Sequence, residues 1–303
     1  MKSSRRATIC LTAVAMAASA LLLPTSNVAK AAGLKSAANS ATYKVLWREE
    51  FNGKRPTYPN EKLWGYDLGN NGGWGNNENE YYTMTNAKTD GKGSLVIKAN
   101  RIPNDSIEAA SCANCTFFSS RINTQGKLGF KYGRMEARIQ MPKGDGTWPA
   151  FWLLGSNIRT VPWPTCGEID IVEVGTDPYS SHSTIHGPVS GFMGITNGGK
   201  QIETPLYANY HVFRMDWFPT KFVFYLDNKP YYTVTKSEVT GSSYNDKWVY
   251  DHEFFLILNL AMGGNYVGGT PDPFLKSAQM KIDYIRYFSI TQNGKTYGKL
   301  YKH

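Results

Sequence analysis

From about residue 44 onward, branched and aromatic residues recur at alternate positions in short runs, broken by Gly, Asn and Pro. That period marks strands rather than helices. The runs lie at 44–50, 94–101, 117–123, 132–140, 150–154, 168–174, 183–186, 211–217, 221–226, 229–235, 253–261 and 279–290. Leu226-Asp227-Asn228-Lys229 joins two of them as a tight hairpin. No long segment carries a helical period. Many short strands separated by turn residues predict an all-β sandwich or barrel.

One run departs from simple alternation. Thr165-Cys166-Gly167-Glu168-Ile169-Asp170-Ile171-Val172-Glu173-Val174 sets three carboxylates among Ile and Val. Alternation sends Glu168 and Asp170 to one face and Ile169 and Ile171 to the other. It would also leave Glu173 on the apolar face, where an unpaired charge is costly. One extra residue, a β-bulge near Ile171-Val172, returns Glu173 to the acidic face. Three acids on one face fit a solvated edge, a calcium-binding ladder, or a carboxylate pair for glycoside hydrolysis. A retaining glycosidase holds its nucleophile and acid/base about 5–5.5 Å apart. Residues four apart on a strand stand roughly 13 Å apart at the backbone. Bulge and twist must therefore lean the two side chains together. Asp170, between them, can hold the nucleophile and raise the acid's pKa by like-charge repulsion.

Gly167-Glu168-Ile169-Asp170-Ile171-Val172-Glu173 resembles the signature of glycoside hydrolase family 16 in its bulged form. Gly146-Thr147-Trp148-Pro149-Ala150-Phe151-Trp152-Leu153-Leu154 resembles the segment that precedes the signature in the family's laminarinase branch. The stretch Gly72 to Thr83, with Trp74, Asn76, Asn77 and Glu78, resembles that branch's aromatic and amide-rich loop. Asn259-Leu260-Ala261-Met262-Gly263-Gly264 and Ile282-Asp283-Tyr284-Ile285-Arg286-Tyr287 resemble its last strands. The similarity runs from about Val45 to Phe288, with the motifs in order.

The resemblance implies a jelly-roll β-sandwich of two antiparallel sheets, with the acidic strand on the floor of a concave cleft. It implies an endo-acting, retaining β-glucanase that cuts β-1,3 bonds of laminarin-type glucans. Glu168 would be the nucleophile, Glu173 the acid/base, and Asp170 the group that orients Glu168. No cofactor is expected for catalysis. The same scaffold also serves mixed-linkage glucan, agar and carrageenan, and it occurs in non-catalytic glucan-binding proteins. Those binders typically lack a catalytic Glu, whereas all three acids are present in this chain.

A sugar cleft needs aromatic platforms beside amide, acid and Arg groups. Trp74, Trp148, Trp152 and Trp163 are candidate platforms; Trp47, Trp64, Trp217 and Trp248 read as structural. Asn76, Asn77 and Glu78 match positions where relatives contact sugar hydroxyls. Arg121 matches a cleft-facing arginine, and a surface ion pair is its alternative. His186 matches a histidine close to the acid/base. Family members also hold a calcium ion on the convex sheet through carbonyl oxygens, at positions matching Glu50, Gly93 and Asp283.

Residues 1–32 read as a secretory signal peptide: Lys2, Arg5 and Arg6, an apolar run from Ile9 to Leu23, and Ala29-Lys30-Ala31 for cleavage. The apolar run is too short and too broken by Thr and Ser for a membrane span. The expectation is a secreted, extracellular monomer that leaves the membrane once the signal is cleaved. Residues 33–42 read as a flexible leader, 43–290 as the catalytic domain, and 291–303 as a loose tail. The formal charge is +9, and Lys2, Arg5, Arg6 and Lys30 account for four of it, leaving +5. The remaining positive charges are scattered, so no nucleic-acid partner is expected. Cys112 and Cys115 can form a local disulfide in an oxidising compartment, with Cys166 a buried free thiol.

Overall fold

A computed structural model of the chain describes residues 40–103, 106, 112, 114–189, 197–241 and 246–303. The signal segment and most of the leader lie outside the described residues. Twenty strands run through the described residues. They are β1 (Thr42–Glu49), β2 (Gly65–Asp67), β3 (Glu80–Tyr82), β4 (Ala87–Thr89), β5 (Leu95–Arg101), β6 (Phe117–Ser119) and β7 (Arg121–Asn123). Next come β8 (Leu128–Lys131), β9 (Gly133–Gln140), β10 (Thr147–Gly155), β11 (Glu168–Glu173), β12 (Ser180–His186), β13 (Asn197–Gln201) and β14 (His211–Phe218). The chain closes with β15 (Lys221–Leu226), β16 (Lys229–Thr235), β17 (Phe254–Met262), β18 (Ser277–Gln292), β19 (Lys295–Tyr297) and β20 (Lys299–Lys302). One short helix, Lys236–Thr240, follows β16.

The strands form two sheets in a jelly-roll sandwich, as the fold reading expected. One sheet runs β16-β15-β14-β9-β18-β5-β6-β3, with β1 and β19 against β18 and β4 against β5. The other runs β13-β12-β11-β10-β17-β7-β2, with β8 against β17 and β20 against β8. Pairing is antiparallel except between β3 and β6. Residues 117–123, read as one strand, divide at Ser120 into β6 and β7, which belong to different sheets. The Asp227-Asn228 turn has positive φ at both residues, as a two-residue hairpin requires.

The core lies between the sheets. Leu256, Leu258 and Leu260 of β17, Phe151 and Leu153 of β10, and Ile169, Ile171 and Val172 of β11 all face into it. Opposite them sit Met135, Ala137, Ile139, Met215 and Trp217. Trp217 packs edge-on against Phe254 and Tyr132 and donates its indole N–H to the Tyr250 carbonyl at 3.1 Å. Each such side chain contributes about 1.5–3 kcal/mol on leaving water.

Both ends of the domain differ from the expectation. Thr42 opens β1 and does not belong to a leader. Residues 291–303 are not a loose tail: β18 runs on to Gln292, and β19 and β20 pair with β18 and β8. Asn293 and Gly294 take positive φ and turn the chain back, so polar composition there reflects an edge position. Cys112 and Cys115 are joined in a disulfide, and Cys166 is free and buried.

Candidate active site

The acidic strand carries one residue more than either neighbour. In β10, Phe151 pairs with Val172 and Trp152 with Asp170, which leaves Ile171 unopposed. In β12 the same jump separates the Asp170–Thr184 and Glu173–His182 pairs. Ile171 and Val172 both point into the core, and Glu168, Asp170 and Glu173 share the opposite face. The bulge therefore does what the pattern required: it keeps two apolar neighbours inside and re-aims Glu173.

That face builds a floor across five strands. Glu173 lies opposite Ala150, which pairs with Asn259, which pairs with Arg121, which pairs with Asp67. Four strand spacings make the row ~19 Å long. A second row begins Asp170, Trp152, Ile257, Asn123. On the other side, His186 of β12 lies directly opposite Glu168. The Gly167 turn sets the start of β11. Its φ is +76°, and a Cβ there would come within 2.8 Å of the Phe254 ring. The loop from 156 to 167 rests on a small apolar cluster of Leu154, Cys166, Phe255 and Ile257. It holds Trp163 over the acids.

Each acid has its own donors. Glu168 accepts from the Trp163 indole N–H at 3.1 Å, and His186 Nε2 stands 3.6 Å away. His186 Nε2 is 3.2 Å from Asp170, which is almost wholly buried. Glu173 accepts from the Trp148 indole N–H at 2.9 Å. Trp148 is in turn stacked on Tyr266 at 4.9 Å. Burial, and then the Asp170 charge, push Glu168 up to about 8, against the pull of His186, Arg121 and the Trp163 N–H. Burial and Asp170 likewise push Glu173 to about 8, opposed mainly by Trp148. Burial favours neutral His186, but its bond to Asp170 and the three carboxylate charges hold it up at about 10. The His186 cation stands beside Glu168, and the two raised carboxyls titrate as a coupled pair.

The aromatic and polar positions surround these acids unequally. Trp163 is the openly exposed platform. Trp148 is buried and serves as a donor to Glu173. Trp152 is half-buried and donates to Asn259 Oδ1 at 2.7 Å. Trp74 is half-buried, packed against Tyr82 at 5.6 Å. The Arg121 guanidinium lies between Trp74 and Trp152, 4.7 and 4.8 Å from their rings, and also pairs with Asp67 at 2.9 Å. Both readings of Arg121, cleft residue and ion-pair partner, therefore describe it. Asn76 donates to Glu78 at 3.3 Å, and exposed Asn77 donates to Asn265 at 3.0 Å. Glu78 is buried in the same wall. Sequence reasoning missed Tyr82, Tyr266 and the role of Asn259. Asn259 had a signal, as the one amide in the apolar run from Phe254 to Met262.

Two places could concern a metal. Glu168, Asp170 and His186 offer ligand atoms within 4.8 Å of one another. His186 held in its protonated form is a donor and a poor ligand. The positions Glu50, Gly93 and Asp283 also come together. β1 and β5 meet end to end along one edge of β18, at Asp283. However, Arg286 binds both Glu50 oxygens at 2.9 Å and holds that carboxylate low, and Arg138 binds Asp283 at 2.7 Å. A cation there fits only through main-chain oxygens.

The sandwich, the bulged acidic strand and the indole-rich floor define a carbohydrate-cleaving enzyme of the glycoside hydrolase class. Residues 75–286 match the family model for glycosyl hydrolases family 16, and the chain belongs to that family. It is 34% identical to a beta-glucanase of Rhodothermus marinus, over 81% of this chain and 85% of that protein. It is 37% identical to glucan endo-1,3-beta-glucosidase A1 of Niallia circulans, covering 80% of this chain but only 37% of that longer protein. The crystal structure of an endo-beta-1,3-glucanase from Pyrococcus furiosus superposes with a TM-score of 0.73 at 38% identity, covering 83% of this chain and 96% of that one.

Proposed function

We propose that the chain hydrolyses internal β-1,3-glucosidic bonds of laminarin-type glucans, with retention of configuration. One observation carries the reading: the bulge puts Glu168 and Glu173 on one face with different donors, the Trp163 N–H and His186 beside Glu168 and the Trp148 N–H on Glu173. The Glu168 carboxylate attacks the anomeric carbon, the glycosidic C–O bond breaks, and the Glu173 proton passes to the departing oxygen. Water then gives a proton to Glu173 and attacks the same carbon, which frees Glu168. His186 and Asp170 orient and charge-balance Glu168. Trp163 and the wall of Trp74, Trp152 and Arg121 offer surfaces for sugar rings on the two sides of the acids.

The names of the relatives support a β-1,3-glucan substrate. Asn76, Asn77 and Glu78 beside Trp74 suit a neutral glucan better than a sulfated galactan, which calls for Arg and Lys along the cleft. The basic, apolar start of the sequence supports export with cleavage near residue 32. No helix among the described residues is long and apolar enough to cross a membrane. A structural calcium ion at the Glu50–Gly93–Asp283 junction belongs to the same reading, held by carbonyl oxygens. Thermal unfolding with and without chelator tests it. The function is tested by comparing laminarin, mixed-linkage glucan, agarose and carrageenan side by side, with proton NMR of the first-formed anomer. Internal cleavage of laminarin to β-anomers is expected. α-Anomers, or cleavage of agarose or carrageenan alone, would refute it.

A further inference from the structure

The mechanism above makes no use of Tyr266, although its ring lies one side chain away from the acid/base. The loop that carries it leaves β17 after Met262 and closes on itself. Gly264 donates to the Gly269 carbonyl at 2.7 Å, and Gly269 donates back to the Gly264 carbonyl at 2.9 Å. Gly264, Gly268 and Gly269 have φ of +94°, +82° and +112°, which residues with side chains rarely adopt. Within the loop lies one 3₁₀ turn, Asn265–Val267. The Asn265 N–H reaches the Asn76 carbonyl at 2.8 Å, and Asn77 donates to the Asn265 side chain at 3.0 Å. Val267 is buried in one cluster with Trp148 and Ala261. Tyr266, held between these two anchors, lays its ring on the Trp148 indole, with centroids 4.9 Å and planes 29° apart. The ring also lies against Gly175, just past β11, where a Cβ would crowd it at 3.1 Å.

The consequence runs to Glu173. Among the described residues Trp148 is its hydrogen-bond donor, through the indole N–H to Oε1 at 2.9 Å. An indole N–H only donates, so it occupies Oε1 whichever charge state Glu173 has. A neutral carboxyl facing such a donor accepts through its carbonyl oxygen and carries its hydrogen on the other oxygen. Trp148 thus selects the oxygen that bears the transferable proton. One hydrogen bond fixes one point of the indole and not its plane. The stacked Tyr266 ring and Val267 fix the rest.

We propose that Tyr266 is a positioning residue for the acid/base: its ring clamps the Trp148 indole, whose N–H holds Glu173 Oε1 and leaves Oε2 to carry the proton to the departing oxygen. Without the ring the indole can turn, and the carboxyl loses its aim. This inference rests on the glucan reading and on Glu173 as its acid/base.

The test measures kcat/KM for a series of aryl β-laminaribiosides, from dinitrophenyl to unsubstituted phenyl. The sugar half is the same throughout and no sugar occupies the leaving-group side, so a lost sugar contact moves every member equally. A lost proton transfer moves only the poor leaving groups. Tyr266→Leu should leave the dinitrophenyl member within about twofold and slow the phenyl member about 10-fold, a part of what a general acid supplies. Tyr266→Phe, which keeps the ring, should restore the wild-type slope. Trp148→Phe should steepen the series in the same way, and adding Tyr266→Leu to it should cost little more, because both act through one contact. By NMR, exchange of the Trp148 indole N–H with water should speed up in Tyr266→Leu and not in Tyr266→Phe. If Trp148→Phe does not fold, the series and the exchange rates of the two Tyr266 variants decide; Tyr266→Met replaces Leu if that variant does not fold. Equal losses across the series, losses that add in the double variant, or an unchanged exchange rate overturn the inference. Failure of the unmodified chain to cleave laminarin and the laminaribiosides alike would instead refute the glucan reading, while the N–H exchange still reports the clamp.

Discussion

Replacing His186 by Ala removes the cation nearest the nucleophile. Its Nε2 stands 3.6 Å from Glu168, and both side chains are largely buried, at 24% and 19% exposure. At an effective dielectric near 20, a unit charge at this distance is worth about 4–5 kcal/mol. One pKa step corresponds to about 1.36 kcal/mol. The ceiling on the shift is thus ~3 units, and partial water access lowers the expectation to about 1–2. Losing a cation favours the neutral carboxyl, so Glu168 ionises at a higher pH. The acid limb of kcat/KM should move up by that amount, and activity on laminarin at pH 6 should fall about 10- to 100-fold. Raising the pH recovers only part of the loss, because Glu173 gives up its own proton at about 8. Gln in place of His186 keeps a hydrogen-bonding side chain without the charge, and it should shift the limb equally. The assay is initial rate against pH for the three proteins. A loss that is the same at every pH, or full rescue by Gln, would refute the electrostatic account in favour of packing.

Glu173→Ala should cost about 10²–10⁴-fold on laminarin but spare glycosyl-enzyme formation from a dinitrophenyl oligoglucoside; added azide should then yield a β-glycosyl azide, and an α-azide would contradict retention. Glu173→Gln should raise the unfolding temperature, with a gain that grows from pH 4.5 to 8. The reason is that a carboxyl raised to about 8 in the fold contributes stability that is complete below its unfolded value and lost as pH climbs through 8. A gain independent of pH in scanning calorimetry would count against that. Deleting Ile171 removes the unopposed residue and one core side chain. The product should fold with about 2–4 kcal/mol less stability and reduced activity, its three acids still on one face; full activity would show that the bulge does not aim Glu173.

The amino-acid sequence determined which face each residue of the acidic strand takes. Alternation and the cost of burying Glu173 among Ile and Val required an extra residue, and both are local properties of ten positions. It also determined the strand-rich class, since period and turn residues are read within one element. The short strands β2, β3, β4, β8, β13, β19 and β20 escaped because three to five residues cannot display a period; their pairing comes from the neighbours. The division of 117–123 at Ser120 was invisible for a related reason, because which sheet a strand joins depends on its partners, β3 and β5 for β6 but β2 and β17 for β7. Tertiary structure alone decided which indole serves which acid. Trp148 and Trp163 are alike in sequence, yet packing on Tyr266 buries one against Glu173, and the 156–167 loop leaves the other open above Glu168. It alone brought Glu78, Tyr82, Asn259 and Trp152 into one line, for hydrogen bonds between β3, β17 and β10 depend on how two sheets fold over each other. The charges follow the same division: the sequence supplies the acids, but their proton affinities come from burial and from cations that only the fold carries to them.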